Sequence, residues 1–462
     1  RRFNGKKTNH YPVLKLDLER TITNHLLGLC SSSFILFCIR KRRSRESYCL
    51  PAEDTEDKML APVKTARLVK WNVDILTNLL EQIHARRDGK SVASLEVEVS
   101  GKHMSQQTVL DEVKEIIHLP TFSGQTAYAP GEVELDSVVL DQLENYVSTV
   151  ASMYRDNPFH NFEHASHVVM SAVKLLSRIV APDIGEEMGE DTASTLHDHT
   201  YGITSDPLTQ FACVFSALIH DADHTGVPNS QLIKENSALA KVYKDKSVAE
   251  QNSVDLCWDL LMDSNFDELR AAIYSTADER KRFRQLVVNS VMATDIMDKD
   301  LKTLRNNRWE KAFSDTASAH EESNEDAVDR KATIVIEHLI QASDVSHTMQ
   351  HWHIYRKWNA RLFEELYRAY VDGRSDKDPS DFWYKGEIGF FDFYIIPLAK
   401  KLKDCGVFGV SSDEYLNYAL KNRQEWEDRG LEVVAMLLED TQAKLLTEKE
   451  ATEAAPMVEL KL

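Results

Sequence analysis

Two pairs of histidines, each pair separated by three residues, are the part of this sequence best suited to chemistry. His160 and His164 stand in the run HNFEH, whereas His220 and His224 stand in the run HDADH, which also contains Asp221. In a helix, residues four apart lie on one face, about 6 Å apart along the axis. Because imidazoles and carboxylates on facing helices form sites for divalent metal ions, the spacing predicts a metal site.

The expected ligands of a tightly held ion are two imidazoles and two carboxylates. They are His164, His220, Asp221 and Asp344, the last in the run IQASDV. This donor set suits zinc, with iron or manganese as alternatives. A second ion would share Asp221 and take waters as its other ligands, which suits magnesium or manganese. Two metal ions that share a hydroxide are suited to phosphoryl transfer. A single pair of histidines, by contrast, would be interpreted as helix-ending residues.

His160 is not among the four expected metal ligands, and it lies one turn before His164. A leaving alkoxide needs a proton, which a neighbouring imidazolium can donate. Glu250 could orient His160 and keep it charged. His224 would not bind the metal itself but would link metal-bound water or phosphate to the rest of the protein. A competing cluster at residues 197–199 is interpreted as loop and capping residues, because no helix is predicted to fix its geometry.

Long helices are expected to position these residues. Glycine (16) and proline (12) are sparse in 462 residues, against common averages of about 7% and 5%. From about Asp136 onward the apolar pattern is nearly all helical. One helix opens at Pro207 with Asp206 as its N-cap and runs into His220. The net charge of −19 speaks against a nucleic-acid partner, whose binding face would be basic.

In these residues the sequence resembles the catalytic domain of class I 3',5'-cyclic nucleotide phosphodiesterases, which are HD-type metal-dependent phosphohydrolases. The resemblance covers about residues 146–422. It rests on ordered motifs: His160-Asn161-x-x-His164, His220-Asp221-x-Asp223-His224-x-Gly226-x-x-Asn229, Glu250, Thr294-Asp295, Ala342-Ser343-Asp344-Val345-Ser346 and Gly389-Phe390. It implies a compact all-α, multi-helix domain that hydrolyses cGMP or cAMP to the 5'-monophosphate and so ends cyclic nucleotide signalling.

The resemblance also implies roles for individual residues. Asp221 would bridge two divalent ions, and His160 would protonate the leaving O3' with Glu250 as its partner. Asp295 would lie behind the metal ligands, and Phe390 would stack on the purine ring. Two alternatives are another HD-type nucleotide phosphohydrolase and an inactive cyclic-nucleotide-binding scaffold. The Glu250 and Gly389-Phe390 context disfavours the first, and the complete ligand set disfavours the second.

Three positions depart from the family pattern. Asn252 and Ser253 replace two histidines that often follow the Glu250 motif, and Phe159 replaces the tyrosine before the acid. Glu387 stands where the family usually has a glutamine that reads the purine edge. An amide can rotate to serve adenine or guanine, whereas an ionised carboxylate only accepts hydrogen bonds. Because guanine offers adjacent N–H donors, Glu387 predicts a preference for cGMP. A protonated Glu387 could instead serve both bases, and the alternative role is a helix cap.

A membrane anchor is predicted near the start of the chain. Residues 21–39 contain no Asp, Glu, Lys or Arg, and the basic run RKRRSR follows at once. A span of this length can cross a bilayer with the basic cluster on the cytoplasmic side. The alternatives are an interfacial helix and a cleaved signal region. We therefore expect a membrane-anchored chain with a cytoplasmic catalytic domain, or otherwise a cytoplasmic one.

The remaining pattern divides the chain into four parts. Residues 1–45 form the candidate anchor with its basic flank, and residues 46–105 form a helical linker. Within the linker, residues 67–87 have the apolar spacing of an amphipathic helix, whose apolar face could pack within the chain or form a homodimer. Residues 106–440 would be the catalytic domain and residues 441–462 a C-terminal tail.

Overall fold

The computed structural model describes residues 57–88, 108–122, 133–179, 192–313 and 324–454. Within these ranges the regular structure is helical and contains no strand, as an all-α domain requires. The α-helices in chain order are α1 (Asp57–Asp88), α2 (Val109–Glu112), α3 (Ser137–Met153), α4 (Phe162–Ser177), α5 (Thr192–His199), α6 (Pro207–Ile219), α7 (Asn229–Lys234), α8 (Ala238–Val242), α9 (Val248–Leu261), α10 (Asp267–Ile273), α11 (Ala277–Ala293), α12 (Lys299–Phe313), α13 (Asn324–Asp344), α14 (Trp352–Val371), α15 (Trp383–Phe390), α16 (Ile396–Asp404) and α17 (Val410–Ala454). A π-helical turn, Phe391–Ile395, joins α15 to α16.

Helix α6 forms the centre of the core. Every residue from Leu208 to Ile219 is buried except Gln210, as its nearly continuous apolar sequence requires. It packs against α11, α4 and α1, and α4 packs in turn against α13. The last turns of α6 and α13 and the first turn of α4 therefore meet, and these are the turns that carry the predicted metal ligands.

The start of α6 differs in one detail from the sequence prediction. Pro207 occupies the first turn and Asp206 the N-cap position, but the Asp206 side chain makes no capping hydrogen bond to the backbone. Its carboxylate instead accepts a hydrogen bond from the Thr209 hydroxyl at 2.7 Å and lies 3.5 Å from both Arg86 and Arg282. The Asp206 carboxylate therefore interacts with arginines distant in sequence and does not cap the helix.

The helix predicted over residues 67–87 is present and belongs to α1. Leu76, Leu80 and Ile83 on its apolar face are buried in the main core. The Asn72 amide also donates a hydrogen bond to the Ser166 hydroxyl on α4, at 3.0 Å. In this structure, α1 therefore packs within the chain.

Two other sequence predictions concern the ends of the chain and residues 197–199. Residues 21–39 lie outside the described residues, and no helix within the described ranges is long and apolar enough to cross a membrane. Helix α17 continues to Ala454, beyond the residue at which the tail was predicted to begin. Residues 197–199 end helix α5, so their interpretation as a loop was wrong.

Candidate active site

Four predicted metal ligands converge between α4, α6 and α13. His164 Nε2 lies 3.1 Å from Asp344 Oδ1 and 3.6 Å from Asp221 Oδ2. His220 Nε2 lies 3.1 Å from Asp221 Oδ2 and 3.4 Å from Asp344 Oδ1. Ligand atoms around one tetrahedral ion with bonds of about 2.1 Å would be about 3.4 Å apart. His164, His220 and Asp344 therefore lie close enough together to hold one divalent ion, and Asp221 lies within 3.6 Å of both histidine nitrogens.

The tautomer of His220 supports this assignment. Its Nδ1 lies 3.0 Å from the Ala217 carbonyl oxygen and must donate to it, so that in the neutral ring the lone pair is on Nε2. That Nε2 is buried and has no hydrogen-bond partner among the described residues. A metal ion would satisfy this lone pair, as is common where the other ring nitrogen is fixed by the backbone.

The electrostatics of the cluster favour binding of positive charge. Burial lowers the pKa of His220, but the neighbouring carboxylates of Asp221 and Asp344 outweigh burial and raise it. Burial raises the pKa of Asp221, but His220 outweighs it and the pKa lies well below its usual range. Protons and a metal ion would therefore compete for the same atoms.

His160 lies beside this cluster, with its ring centroid 6.0 Å from that of His164. Its Nδ1 is 2.5 Å from Oε1 of Glu365, a buried residue of α14. The other oxygen of Glu365 accepts the backbone N–H groups of Phe159 and His160 at 2.9 and 3.0 Å. Burial lowers the pKa of His160, but Glu365 outweighs burial and raises it to about 9. The imidazole is therefore protonated at neutral pH.

The predicted contact between Glu250 and His160 was wrong. Glu250 instead accepts a hydrogen bond from the Asn229 amide at 2.8 Å, on the side of the site occupied by Asp295. Burial and the charge of Asp295 raise the pKa of Glu250 to about 8. Asp295 is held by the backbone N–H groups of Met297 and Asp298, both at 3.0 Å. The two carboxylates form an oxygen-rich region next to Asp221.

The His224 ring packs against that of His160, with centroids 3.9 Å apart and the ring planes tilted by 34°. Burial and the positive charge of His160 lower the pKa of His224 to about 4, so its ring is neutral. The ring nitrogen Nδ1 accepts the Gly226 N–H at 3.2 Å, which leaves Nε2 as a donor. His160, His224 and Glu365 also lie close enough together to hold a metal ion. The ion pair between His160 and Glu365 is the simpler interpretation of that group.

The structure also locates the three departures from the family pattern. Asn252 donates to Asp223 at 3.2 Å, and the Ser253 hydroxyl donates to the Ala222 carbonyl at 2.9 Å. The Phe159 ring packs on His164 with centroids 4.7 Å apart. These replacements leave the donor cluster in place.

Glu387 and Phe390 lie one turn apart on α15. The Phe390 ring is partly exposed and stacks on Tyr394, with centroids 5.5 Å apart. Glu387 is 8% exposed and accepts a hydrogen bond from the Tyr355 hydroxyl. Burial outweighs this bond and a second from Asn359, and raises the pKa of Glu387 to about 7. No local sequence pattern marks Tyr355 as a partner of Glu387, because the two residues are 32 positions apart.

Comparison with known proteins agrees with this site. A family model described as 3'5'-cyclic nucleotide phosphodiesterase matches residues 159–409, more than half of the chain. The chain is 26% identical over 303 residues to the probable 3',5'-cyclic-AMP phosphodiesterase pde-4 of Caenorhabditis elegans. It is 23% identical over 294 residues to the cGMP-specific 3',5'-cGMP phosphodiesterase 3 of Dictyostelium discoideum. Each alignment covers 62% of this chain.

The chain spans 40% of the Caenorhabditis protein and 55% of the Dictyostelium protein. The fold is similar to the phosphodiesterase domain of Salpingoeca rosetta rhodopsin phosphodiesterase, with a TM-score of 0.50 and 22% identity. That comparison covers 66% of this chain and 86% of the other. The predicted resemblance is nevertheless confirmed by the family match, and the chain belongs to the 3'5'-cyclic nucleotide phosphodiesterase family.

Proposed function

We propose that this chain hydrolyses a 3',5'-cyclic nucleotide to the nucleoside 5'-monophosphate and thereby ends cyclic nucleotide signalling. The observation that carries the proposal is the charged imidazole of His160, 2.5 Å from Glu365 and adjacent to four converging metal donors. A half-buried acid next to a divalent-ion site is the arrangement that cleavage of a phosphodiester requires.

The roles of the chain's own residues follow from this geometry. When bound, divalent metal ions supply an activated water and neutralise charge on the phosphate. As the bond between phosphorus and O3' breaks, O3' takes a proton. His160 Nδ1 is occupied by Glu365, so Nε2–H is the donor that remains for O3'. His224, which is neutral, offers its own N–H to the phosphate or to water.

The donor set also suggests which metals are used. Two imidazoles and two carboxylates favour zinc at the tight site formed by His164, His220, Asp221 and Asp344. The neighbouring region has only oxygen donors and would retain waters, which favours magnesium or manganese. Its acidic groups are Asp221, Glu250 and Asp295. Metal analysis of the purified chain would test both assignments.

Assays on point variants test the activity and the site together. His160→Ala should lower kcat on cGMP and cAMP by roughly 10²- to 10⁴-fold and retain bound metal, since it removes only the acid. Asp344→Ala should lose both metal and activity. His199→Ala, at the end of α5, is the matched control and should change neither. Undiminished hydrolysis by His160→Ala and Asp344→Ala would refute the assigned site. Nucleotide binding without product would instead indicate an inactive scaffold.

The relatives' names include both a cAMP and a cGMP phosphodiesterase, so the base preference rests on this chain's own residues. We propose a preference for cGMP, because Glu387 lies beside Phe390 and an ionised carboxylate matches the N–H donors of guanine. Comparing kcat/KM for cGMP and cAMP in the unmodified chain and in Glu387→Gln tests this. Equal efficiency on both substrates, unchanged by the substitution, would refute it.

We also propose that residues 21–39 anchor the chain in a membrane, with the catalytic domain in the cytoplasm. Support comes from their uncharged composition and the basic run that follows. Fractionation of cells expressing the chain with and without residues 1–45 would test it, since loss of the segment should release the protein. Dimer formation stays a prediction that sedimentation of the purified chain can check.

A further inference from the structure

Asp223 has an unusual backbone conformation between two residues of the proposed site. It lies two positions after Asp221 and directly before His224, and its φ is 62°, in the left-handed region. That region is sterically unfavourable for any residue with a Cβ atom, although aspartate enters it more often than most. Conformations of this kind persist only where the surrounding groups hold them. The contacts of Asp223 therefore identify the groups that fix this turn.

Asp223 is held at its backbone and at both of its side-chain oxygens. Its N–H donates to the carbonyl of Met153, the last residue of α3, at 3.1 Å. Arg155 Nε donates to Oδ1 at 2.7 Å, and Asn252 Nδ2 on α9 donates to Oδ2 at 3.2 Å. Because the Arg155 bond is the shorter of the two and joins opposite charges, we expect it to be the stronger. Groups from two separate parts of the chain thus hold the turn.

The ion pair between Arg155 and Asp223 is open to solvent. The Arg155 side chain is 47% exposed and that of Asp223 is 29% exposed. Ion pairs with this exposure contribute little to the stability of the whole protein. The effect of Arg155 should therefore be local, on the backbone of Asp223. A change of φ at that residue would redirect the chain on both sides of it, toward Asp221 and toward His224.

We propose that Arg155 is a positioning residue that holds Asp223 in the left-handed conformation and thereby places the two flanking site residues, Asp221 and His224. This inference rests on the proposed function, because it takes Asp221 as a metal ligand. Asp221 Oδ2 lies 3.1 Å from His220 Nε2, so the two can share an ion. On the other side, the His224 ring packs against that of the proposed acid, with centroids 3.9 Å apart.

Removal of the arginine tests the proposal. Arg155→Ala should bind zinc roughly tenfold more weakly in competition with a chelator, at the lower end of the usual effect of a residue that orients a metal ligand. The kcat on cGMP should fall by a similar factor, whereas the melting temperature should change little because the ion pair is exposed. An unchanged zinc affinity in Arg155→Ala would overturn the proposal.

A matched control comes from Arg178. Its side chain is also 47% exposed and lies 2.9 Å from Glu414, which is within α17 and has no left-handed backbone to hold. Arg178→Ala should therefore leave zinc affinity and kcat unchanged. Equal losses of zinc affinity in Arg178→Ala and Arg155→Ala would show that the effect is not specific to the turn at Asp223.

Substitutions at position 223 separate the backbone conformation from the carboxylate. Glycine adopts a positive φ without steric cost, so Asp223→Gly should keep its zinc affinity within about threefold of the unmodified chain. Asp223→Ala has neither the carboxylate nor this freedom and should lose roughly tenfold or more. Adding Arg155→Ala to Asp223→Gly should cause no further loss, because the arginine then has no carboxylate to hold. Equal losses in the glycine and alanine variants would overturn the proposal, since the carboxylate itself would then act on the site.

The zinc measurements are independent of catalysis. If zinc affinity responds as expected but the unmodified chain hydrolyses neither cGMP nor cAMP, the proposed function is refuted and the role of Arg155 stands. If the unmodified chain hydrolyses either substrate and Arg155→Ala binds zinc normally, only the role of Arg155 is refuted. An unmodified chain that binds no zinc would overturn both.

Discussion

At the level of single residues, the half-buried imidazole of His160, the proposed proton donor, is paired with the buried carboxylate of Glu365. Burial would lower the pKa of His160, and Glu365 outweighs it to give a pKa of about 9. The pKa of Glu365 falls to about 2, because His160 and the backbone N–H donors outweigh burial. The two groups therefore form an ion pair across the physiological pH range, as the proposed role of His160 as a proton donor requires.

Removal of the charge on Glu365 should therefore change the pH profile. A group with a raised pKa is protonated below that pKa, so activity limited by His160 should decline only as the pH passes about 9. In Glu365→Gln the declining limb of kcat/KM should begin at a lower pH, because the attraction for the imidazolium is lost. Glu364→Gln, on the same helix but paired with Arg368, is the control. An unmoved limb in Glu365→Gln would show that another group supplies the proton.

Base selection should depend on pH for a separate reason. The pKa of Glu387 is about 7, because burial outweighs the bonds from Tyr355 and Asn359. Below that pH the carboxyl is neutral and its free oxygen can donate; above it the oxygen only accepts. The cGMP to cAMP ratio of kcat/KM should therefore rise between pH 6 and 8.

The cGMP to cAMP ratio of kcat/KM depends on Glu387 and not on His160 or the metals, because these act on both substrates alike. Glu387→Gln has no proton to lose in this range and should give a flat ratio. A ratio in the unmodified chain that does not change with pH would mean that Glu387 keeps one protonation state throughout.

The residues that the sequence could identify are those whose spacing is local. His160 and His164 are one helical turn apart, and Asp221 adjoins His220, so periodicity alone predicts that each pair shares a site. Glu365 was missed because it lies 205 residues from His160, and no local pattern marks it. Glu250 was expected to be the partner because the resemblance to the family implied it, but Glu250 instead bonds Asn229, whose amide also lies 3.5 Å from Asp295.

At the level of elements, the site depends on a close approach between α15 and α17. Gly430 on α17 faces Tyr384 on α15, and a Cβ at Gly430 would lie 2.6 Å from the Tyr384 ring and 2.7 Å from Trp426. No side chain can occupy that space unless the Tyr384 and Trp426 rings, or the helices that carry them, move. Sequence periodicity predicted that this region is helical. It could not predict the contact between Gly430 and Tyr384, because that contact depends on how two separate helices pack.

Gly430→Ala should consequently push α15 away from α17. We expect a loss of about 1–3 kcal/mol in the free energy of unfolding, the usual cost of overpacking. Because α15 carries Glu387 and Phe390, KM should rise more than kcat falls.

The control for this substitution lies on α15 itself. A Cβ at Gly386 would meet nothing closer than 3.9 Å, so Gly386→Ala should gain about 0.5–1 kcal/mol from helix propensity. Thermal unfolding and steady-state kinetics distinguish the two. Equal changes in the free energy of unfolding and in KM for Gly430→Ala and Gly386→Ala would show that the close contact at Gly430 is not the cause.

At the level of the whole molecule, the fold begins well before the family match. That match starts at residue 159, but α1 ends at Asp88 and lies in the same core. Lys64 on α1 also contacts Glu163 at 2.7 Å, within the motif that contains His160 and His164. Amphipathic spacing predicted the helix but left open what its apolar face covers, since periodicity does not identify a partner.

Deletion of α1 should destabilise the catalytic domain itself. Leu76, Leu80 and Ile83 each contribute about 1.5–3 kcal/mol through burial, which together is comparable to the total stability of a typical domain. A chain lacking residues 1–88 should therefore be poorly folded and inactive on cyclic nucleotides.

A chain lacking only residues 1–56 serves as the comparison, because it keeps all of α1. It should melt and turn over substrate like the full chain. Leu80→Ala tests the same contact without truncation and should cost about 2–5 kcal/mol, since the side chain is fully buried. Equal melting temperatures for the two shortened chains would show that the catalytic domain is stable without α1. A lower melting temperature on loss of α1 alone would show that this helix is part of the catalytic domain, as its place in the main core indicates.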